Sequence, residues 1–250
     1  MRTVAIIQAR MGSSRLPGKI LMPLGDRTVL EHVVARTRAC PLIDEVVVAT
    51  TQGPQDDVLL PVLERLGVPC FRGSEGDVLE RYYQAALQQR ADVVVRVTSD
   101  CPLLDPQVLT RLLEAFFVAR AGETPCDYLS NTLTRTFPRG LDAEVFSFEA
   151  LAQAHAEARE PYEREHVTPF LYFHPDRFAL NDFRDDADAS GHRWTLDTID
   201  DYRLIEALYA ALYRPNELFS TREALSYLDR HPQLVQLNAH VEQKKIQEGA

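Results

Sequence analysis

The chain is almost without lysine. Of its 250 residues only Lys19, Lys244 and Lys245 are lysines, and the last two make the one dense basic pair. The formal net charge is −10. A duplex-binding surface needs a basic stripe, because phosphate neutralisation supplies most of its affinity. No nucleic-acid partner is therefore expected. Cys40, Cys70, Cys101 and Cys126 are scattered without a CxxC pair, which argues against a disulfide framework and a sulfur-ligated zinc site. No apolar run approaches the roughly 20 residues that span a bilayer, so no membrane partner is expected. Met1 leads into Val4-Ala5-Ile6-Ile7 with no leader-type pattern, and the expected compartment is the reducing cytoplasm.

What is present is a core-forming α/β pattern. The chain is 45% hydrophobic, enough for one large domain or a domain with an attached lobe. Thr3–Ile7, Val46–Thr50, Pro69–Phe71 and Val93–Val97 read as buried strands. Between them Val29, Leu30, Val33 and Val34 recur at helical spacing, as do Val58, Leu59, Val62, Leu63 and Leu66, and then Val78, Leu79, Tyr82, Tyr83, Ala86 and Leu87. Such alternation predicts a mostly parallel sheet with helices on both faces, whose ligands sit beyond the carboxyl ends of the strands. The loops after Ile7, Thr50 and Val97 should share that edge.

Asp105 before Pro106 predicts a capped helix over 106–119. From Thr124 to Gly191 the alternation weakens, and an inserted lobe is expected within a single domain spanning 1–250. Trp194–Thr198 reads as a return to the main sheet, with helices over 200–212 and 221–228.

The loop after the first strand is rich in groups that suit a polyphosphate. Arg10, Arg15 and Lys19 supply positive charge; Gly12, Ser13, Ser14 and Gly18 permit tight turns and close amide approach. The spacing is neither GxGxxG nor GxxxxGK[ST], which disfavours a dinucleotide loop or a P-loop. The plainer alternative is an exposed basic turn joining strand to helix. Asp100, after Val93–Val97, should sit at the same edge. Asp197 follows Trp194-Thr195-Leu196 nearly a hundred residues later. Magnesium needs only one or two protein carboxylates, so this pair suits it. Both aspartates have a plainer alternative as turn or cap residues.

Residues Ile7 to Lys19, of the form Ile-x-Ala-Arg-x-x-Ser-x-Arg-x-x-x-Lys, resemble the signature loop of the sugar cytidylyltransferases, which make CMP-sialic acid and CMP-Kdo. The subgroup of the spore coat polysaccharide protein SpsF is the nearest in pattern. Gly73-Ser74-Glu75-Gly76-Asp77-Val78-Leu79-Glu80-Arg81-Tyr82, Ser99-Asp100-Cys101-Pro102-Leu103, Arg164-Glu165-His166-Val167-Thr168 and Trp194-Thr195-Leu196-Asp197-Thr198 carry the resemblance along most of the chain.

That resemblance implies a Rossmann-like nucleotidyltransferase sheet of GT-A type, with an inserted lobe over 124–191 for sugar binding and dimerisation. It implies that Arg10, Lys19, Asp100 and Asp197 carry catalysis, the two aspartates through Mg2+. It implies nucleotide contacts from Ala9, Arg10, Met11, Gly12, Ser13, Ser14, Arg15, Lys19, Ser74, Arg81, Thr98 and Asp100. The sialic acid and Kdo enzymes place a glutamine near Thr98, so CTP is expected with another NTP left open. Arg139, Asp142, Glu144, Arg164 and His166 are the sugar candidates, with Arg139 or Arg164 available to a carboxylate. The implied reaction transfers CMP from CTP to a sugar hydroxyl and releases pyrophosphate, in a homodimer that supports cell-surface polysaccharide synthesis. Two alternatives are a nucleotide-sugar glycosyltransferase and a nucleotide-binding protein without turnover. The first usually carries Asp-x-Asp after a strand, whereas this chain has Ser99-Asp100-Cys101 there; Asp186-Ala187-Asp188 follows no strand pattern.

Overall fold

The computed structural model describes residues 1–243; the Lys244-Lys245 pair lies outside the described residues. The first half runs β1 (Thr3–Gln8), a single 3-10 turn at Lys19–Leu21, the hairpin β2 (Pro23–Leu24) and β3 (Arg27–Thr28), and α1 (Val29–Arg38). Then come β4 (Glu45–Thr51), a 3-10 turn at Pro54–Asp56, α2 (Leu59–Leu66), β5 (Cys70–Gly73), α3 (Val78–Gln88), β6 (Val93–Thr98) and α4 (Pro106–Arg120). The second half holds β7 (Tyr128–Ser130), β8 (Glu144–Ser147), α5 (Phe148–Glu157), α6 (Pro161–His166), α7 (Pro169–Tyr172) and β9 (Leu180–Asp182). It closes with α8 (Ile199–Leu212), α9 (Thr221–Arg230) and α10 (Pro232–Val235).

Among the described residues, seven strands form one sheet in the order β5-β4-β1-β6-β8-β7-β9. The pairs β5–β4, β4–β1, β1–β6 and β7–β9 are parallel; β6–β8 and β8–β7 are antiparallel. Strands covered on both faces read as unbroken apolar runs. Val4–Ile7 and Val46–Ala49 are such runs, and every residue in them is buried. One face of the sheet packs on α1, α2 and α4 and the other on α3, α5 and α7. A third apolar cluster joins α8 and α9 to Trp194, Leu196 and Phe137.

The helix starts follow local chemistry. Thr28 and Glu31 form a reciprocal capping box on α1, and Asp105 accepts from the Gln107 N–H at 2.9 Å ahead of Pro106 on α4. Each such cap is worth about 1 kcal/mol.

Residues 124–191, the segment expected to form an inserted lobe, extend the central sheet by β7, β8 and β9 and cover it with α5 to α7. Strands of three or four residues show too few alternations to be legible as a pattern. Trp194–Thr198 is not a strand. The Trp194 N–H donates to the Arg139 carbonyl at 2.6 Å and the Leu196 N–H to the Asp100 carbonyl at 2.8 Å. These bonds go to two different segments, so no ladder forms. The run of buried residues Trp194, Thr195 and Leu196 arises from a crossing over two loops.

Candidate active site

Five side chains from three distant segments meet beyond the carboxyl ends of β1 and β6. The Lys19 ammonium donates to Asp100 Oδ2 at 2.7 Å and to Asp197 Oδ1 at 2.9 Å. Arg15 reaches Asp197 Oδ2 at 2.9 Å, and Arg193 reaches the same oxygen at 2.7 Å. Lys19 is buried, as is most of Asp197. Burial alone would pull the Lys19 pKa down, but the Asp100 and Asp197 charges outweigh it and leave the value raised. For Asp197 burial pushes upward, and Lys19, Arg15 and Arg193 together bring the carboxyl below its usual range. Both groups are thus charged at neutral pH.

The backbone holds this meeting in place. Gly18 has a φ of +71°, which lets the loop turn back so that its N–H reaches the Met11 carbonyl at 3.2 Å and Lys19 enters its short turn. The Leu196 bond to the Asp100 carbonyl ties one aspartate's segment to the other's. Gly140 lets that crossing pass. At its φ of +112° a Cβ would lie 2.5 Å from the Trp194 carbonyl carbon and 2.6 Å from the Thr195 nitrogen.

Three supporting residues had no role in the sequence reading. Asp201 is fully buried and accepts from the backbone N–H groups of Asp197 at 3.0 Å and Thr198 at 2.9 Å, from Asn238 at 2.8 Å and from Arg193 at 2.9 Å. Its only trace in the sequence is the Thr198-x-x-Asp201 capping box on α8. Asp56, also fully buried, accepts from the Met11 N–H at 2.7 Å with one oxygen and from the Thr51 hydroxyl with the other. It anchors the start of the basic loop. Arg193 left no pattern at all.

The remaining candidates divide. Ala9 is buried at the end of β1, and Ser13 accepts from the Leu16 N–H at 3.3 Å inside the loop, where Gly12 and Ser14 are exposed. Arg10 points away from the aspartates to Glu75, 3.5 Å off and exposed. Arg81 is buried and donates to the Ser74 carbonyl at 2.7 Å, which shapes the loop after β5. The Thr98 hydroxyl meets Cys101 Sγ at 3.2 Å, next to Asp100. Among the sugar candidates, Asp142 is gripped by Arg135 at 2.6 and 2.9 Å. Arg139 is half-buried beside it; burial and the Arg135 charge lower its pKa below the ordinary guanidinium value. Arg164 is engaged elsewhere, by Asp77 at 2.5 and 3.0 Å and the His155 carbonyl at 2.8 Å. Glu144 pairs with Arg96 across β6 and β8 at 2.9 Å. His166 closes α6, and burial lowers its pKa.

A cationic loop facing two aspartates is the arrangement of a phosphate-transfer site. The family profile described as cytidylyltransferase matches residues 4–246. The chain belongs to the cytidylyltransferase family. Its activity is that of a sugar cytidylyltransferase, in which CMP leaves CTP for a sugar acceptor. An uncharacterised protein, MJ1063, from Methanocaldococcus jannaschii is 37% identical over 252 residues, covering 99% of each chain. The spore coat polysaccharide biosynthesis protein SpsF of Bacillus subtilis is 36% identical over 239 residues, covering 91% of this chain and 94% of SpsF. A solved cytidylyltransferase from Leptospira borgpetersenii superposes with a TM-score of 0.89 at 33% identity, covering 98% and 99% of the two chains. Membership in this family sets aside the two alternatives, glycosyl transfer and nucleotide binding without turnover. The Asp186-Ala187-Asp188 string lies in an exposed loop.

Proposed function

We propose that this cytidylyltransferase joins CMP to the hydroxyl of an acidic sugar, with Mg2+ bound by Asp100 and Asp197, for cell-surface polysaccharide assembly. The observation that carries this reading is the convergence of Asp100 Oδ2 and Asp197 Oδ1 on one positive centre, the Lys19 ammonium, at 2.7 and 2.9 Å. That ammonium stands in for a cation. Two hard carboxylates without a third partner suit an ion that keeps most of its waters, and among the described residues no group of three or more metal-binding side chains exists. When bound there, such an ion draws charge from the α-phosphate and lowers the pKa of a coordinated hydroxyl.

The chain's own residues do the rest by position and charge. The sugar hydroxyl attacks the α-phosphorus, pyrophosphate leaves, and the protein's task is alignment and neutralisation. Arg15 and Lys19 offset the negative charge of the triphosphate and of the departing pyrophosphate. Gly12, exposed in this turn and without a side chain, permits a phosphate to approach the backbone closely. Arg10, across from Glu75, is free to serve the nucleotide's outer side once that exposed pair opens, since such pairs are worth less than about 1 kcal/mol. Residues 124–191 carry the sugar. The excess positive charge of Arg139 beside Arg135 favours a carboxylate there, and this supports an acidic acceptor. A homodimer through the same region is supported by the exposed Leu133 and Phe173, at 40% and 42%; light scattering that found a monomer would remove this part. The free cysteines fit a reducing cytoplasm, and no helix among the described residues is long and apolar enough to cross a membrane.

The test is pyrophosphate release with each of the four NTPs, Mg2+ and a panel of acidic and amino sugars. CTP should be preferred, EDTA should abolish release and added Mg2+ restore it. Asp197→Ala should lower kcat by at least about 100-fold. Unaltered turnover in that variant would refute the mechanism.

A further inference from the structure

The sheet face covered by α3, α5 and α7 holds a group of polar side chains that the reaction centre does not use. Side chains alternate along strands. Gln8 on β1, Arg96 on β6 and Glu144 on β8 therefore share this face with Ile6, Val94 and Phe146, which are packed in its core. Arg96 and Glu144 stand opposite each other in register, and the guanidinium donates to Glu144 Oε1 at 2.9 Å. Their side chains are 14% and 11% exposed. His166 and Tyr172 lie near enough to sense both charges.

Among the described residues, three atoms of this group are buried without a hydrogen-bond partner: Gln8 Oε1, Arg96 Nε and Glu144 Oε2. Leaving one such atom unpaired costs about 1–3 kcal/mol, and native proteins rarely gather several in one place. A well-packed apolar pair would cover the same sheet positions at no greater cost. A ligand with polar groups would supply the missing partners. Asp100 lies four residues beyond Arg96, no more than about 14 Å of extended chain. A sugar held by its reacting hydroxyl at Asp100 can extend to this group.

Charge narrows the ligand's chemistry. Arg96 and Glu144 neutralise each other, and burial keeps His166 uncharged at neutral pH. The group offers two free acceptors and one free donor with no net charge. An ammonium or a second carboxylate would bring an uncompensated charge into a buried place, whereas a hydroxyl or an acylamido group would match all three atoms.

We propose that Gln8, Arg96 and Glu144 form a subsite for the uncharged end of the acceptor sugar, the part bearing hydroxyl or acylamido groups. The assignment rests on the reading of this protein as a sugar-activating enzyme. It is tested with the full chain, CTP and Mg2+, using N-acetylneuraminate, 3-deoxy-manno-octulosonate and 8-amino-3,8-dideoxy-manno-octulosonate as probes. The wild type should use one of the first two at least tenfold better, in kcat/KM, than the ammonium-bearing sugar. Glu144→Gln and Gln8→Ala should raise the KM for that sugar at least tenfold while the KM for CTP stays within twofold. Gln8 lies outside the ion pair, so its variant separates binding from folding. Unchanged sugar KM in both variants, an equal rise in both KM values, or preference for the ammonium-bearing sugar overturns the subsite alone. If the wild type binds CTP but releases no pyrophosphate with any probe, the functional reading fails and the subsite falls with it.

Discussion

At the residue scale, Lys19 and Asp197 stabilise each other, and their shifted pKa values set the pH window. Asp197 lies below its ordinary 3.8 in the folded state, so its contribution is full above that value and is lost as pH falls through the folded pKa. Lys19 lies above its ordinary 10.5, so its contribution is full below that value and is lost as pH rises through the folded pKa. Melting temperature should therefore be insensitive to this cluster between about pH 5 and 9. Asp197→Asn should lose more stability at pH 7 than at pH 3, and a gap that failed to narrow in acid would contradict the assignment. Asp56 belongs to the same scale. Asp56→Ala leaves the Met11 N–H and the Thr51 hydroxyl unpaired and should weaken CTP binding about tenfold or more, the equivalent of one buried hydrogen bond. Asp56→Asn keeps an acceptor for Met11 and should retain most of the affinity. Calorimetry with CTP and Mg2+ separates the two; equal losses would assign Asp56 to charge and not to hydrogen bonding.

At the element scale, the decisive feature is the crossing of Trp194–Leu196 over Gly140 and the loop of Asp100. Asp197 begins where that crossing ends and α8 is about to start, its N–H held by Asp201. Gly140→Ala would place a methyl group against backbone atoms of Trp194 and Thr195, which no side-chain rotation relieves. We expect a loss of about 3 kcal/mol or more, with a fall in turnover larger than the fall in helical content. Chemical denaturation and circular dichroism would show it, and a stable, fully active variant would refute the role of the crossing. The same segment explains why Trp194–Thr198 reads as a strand in the sequence. Trp194, Thr195 and Leu196 are buried in succession because the chain passes over a core, and a short buried run looks the same in a sequence whether or not it pairs. The start of α4 was legible from Asp105 and Pro106, and α1 from its apolar spacing, because these signals lie within four residues of one another.

At the scale of the whole molecule, the site exists only when segments around residues 19, 100 and 197 are assembled. Ligand binding should therefore report on global unfolding. With free CTP and Mg2+ at about 100 times Kd, stability should rise by about 2.7 kcal/mol. Asp197→Asn should lose most of that gain in a thermal melt. A ligand-induced shift of equal size in the variant would show that the nucleotide is held without the second aspartate.

The amino-acid sequence by itself determined the parallel strands β5, β4, β1 and β6, the helices between them, and the loop that supplies Arg15 and Lys19. These signals are local: apolar runs, helical spacing, caps, and small residues beside charge. Only the tertiary structure decided that residues 124–191 complete the same sheet, that Arg164 is bound to Asp77 while Arg193 grips Asp197, and that Asp56 and Asp201 brace the site. Each of those facts depends on which distant side chains come within about 3 Å of one another, and hydrogen bonds of that length leave no periodic mark along a chain.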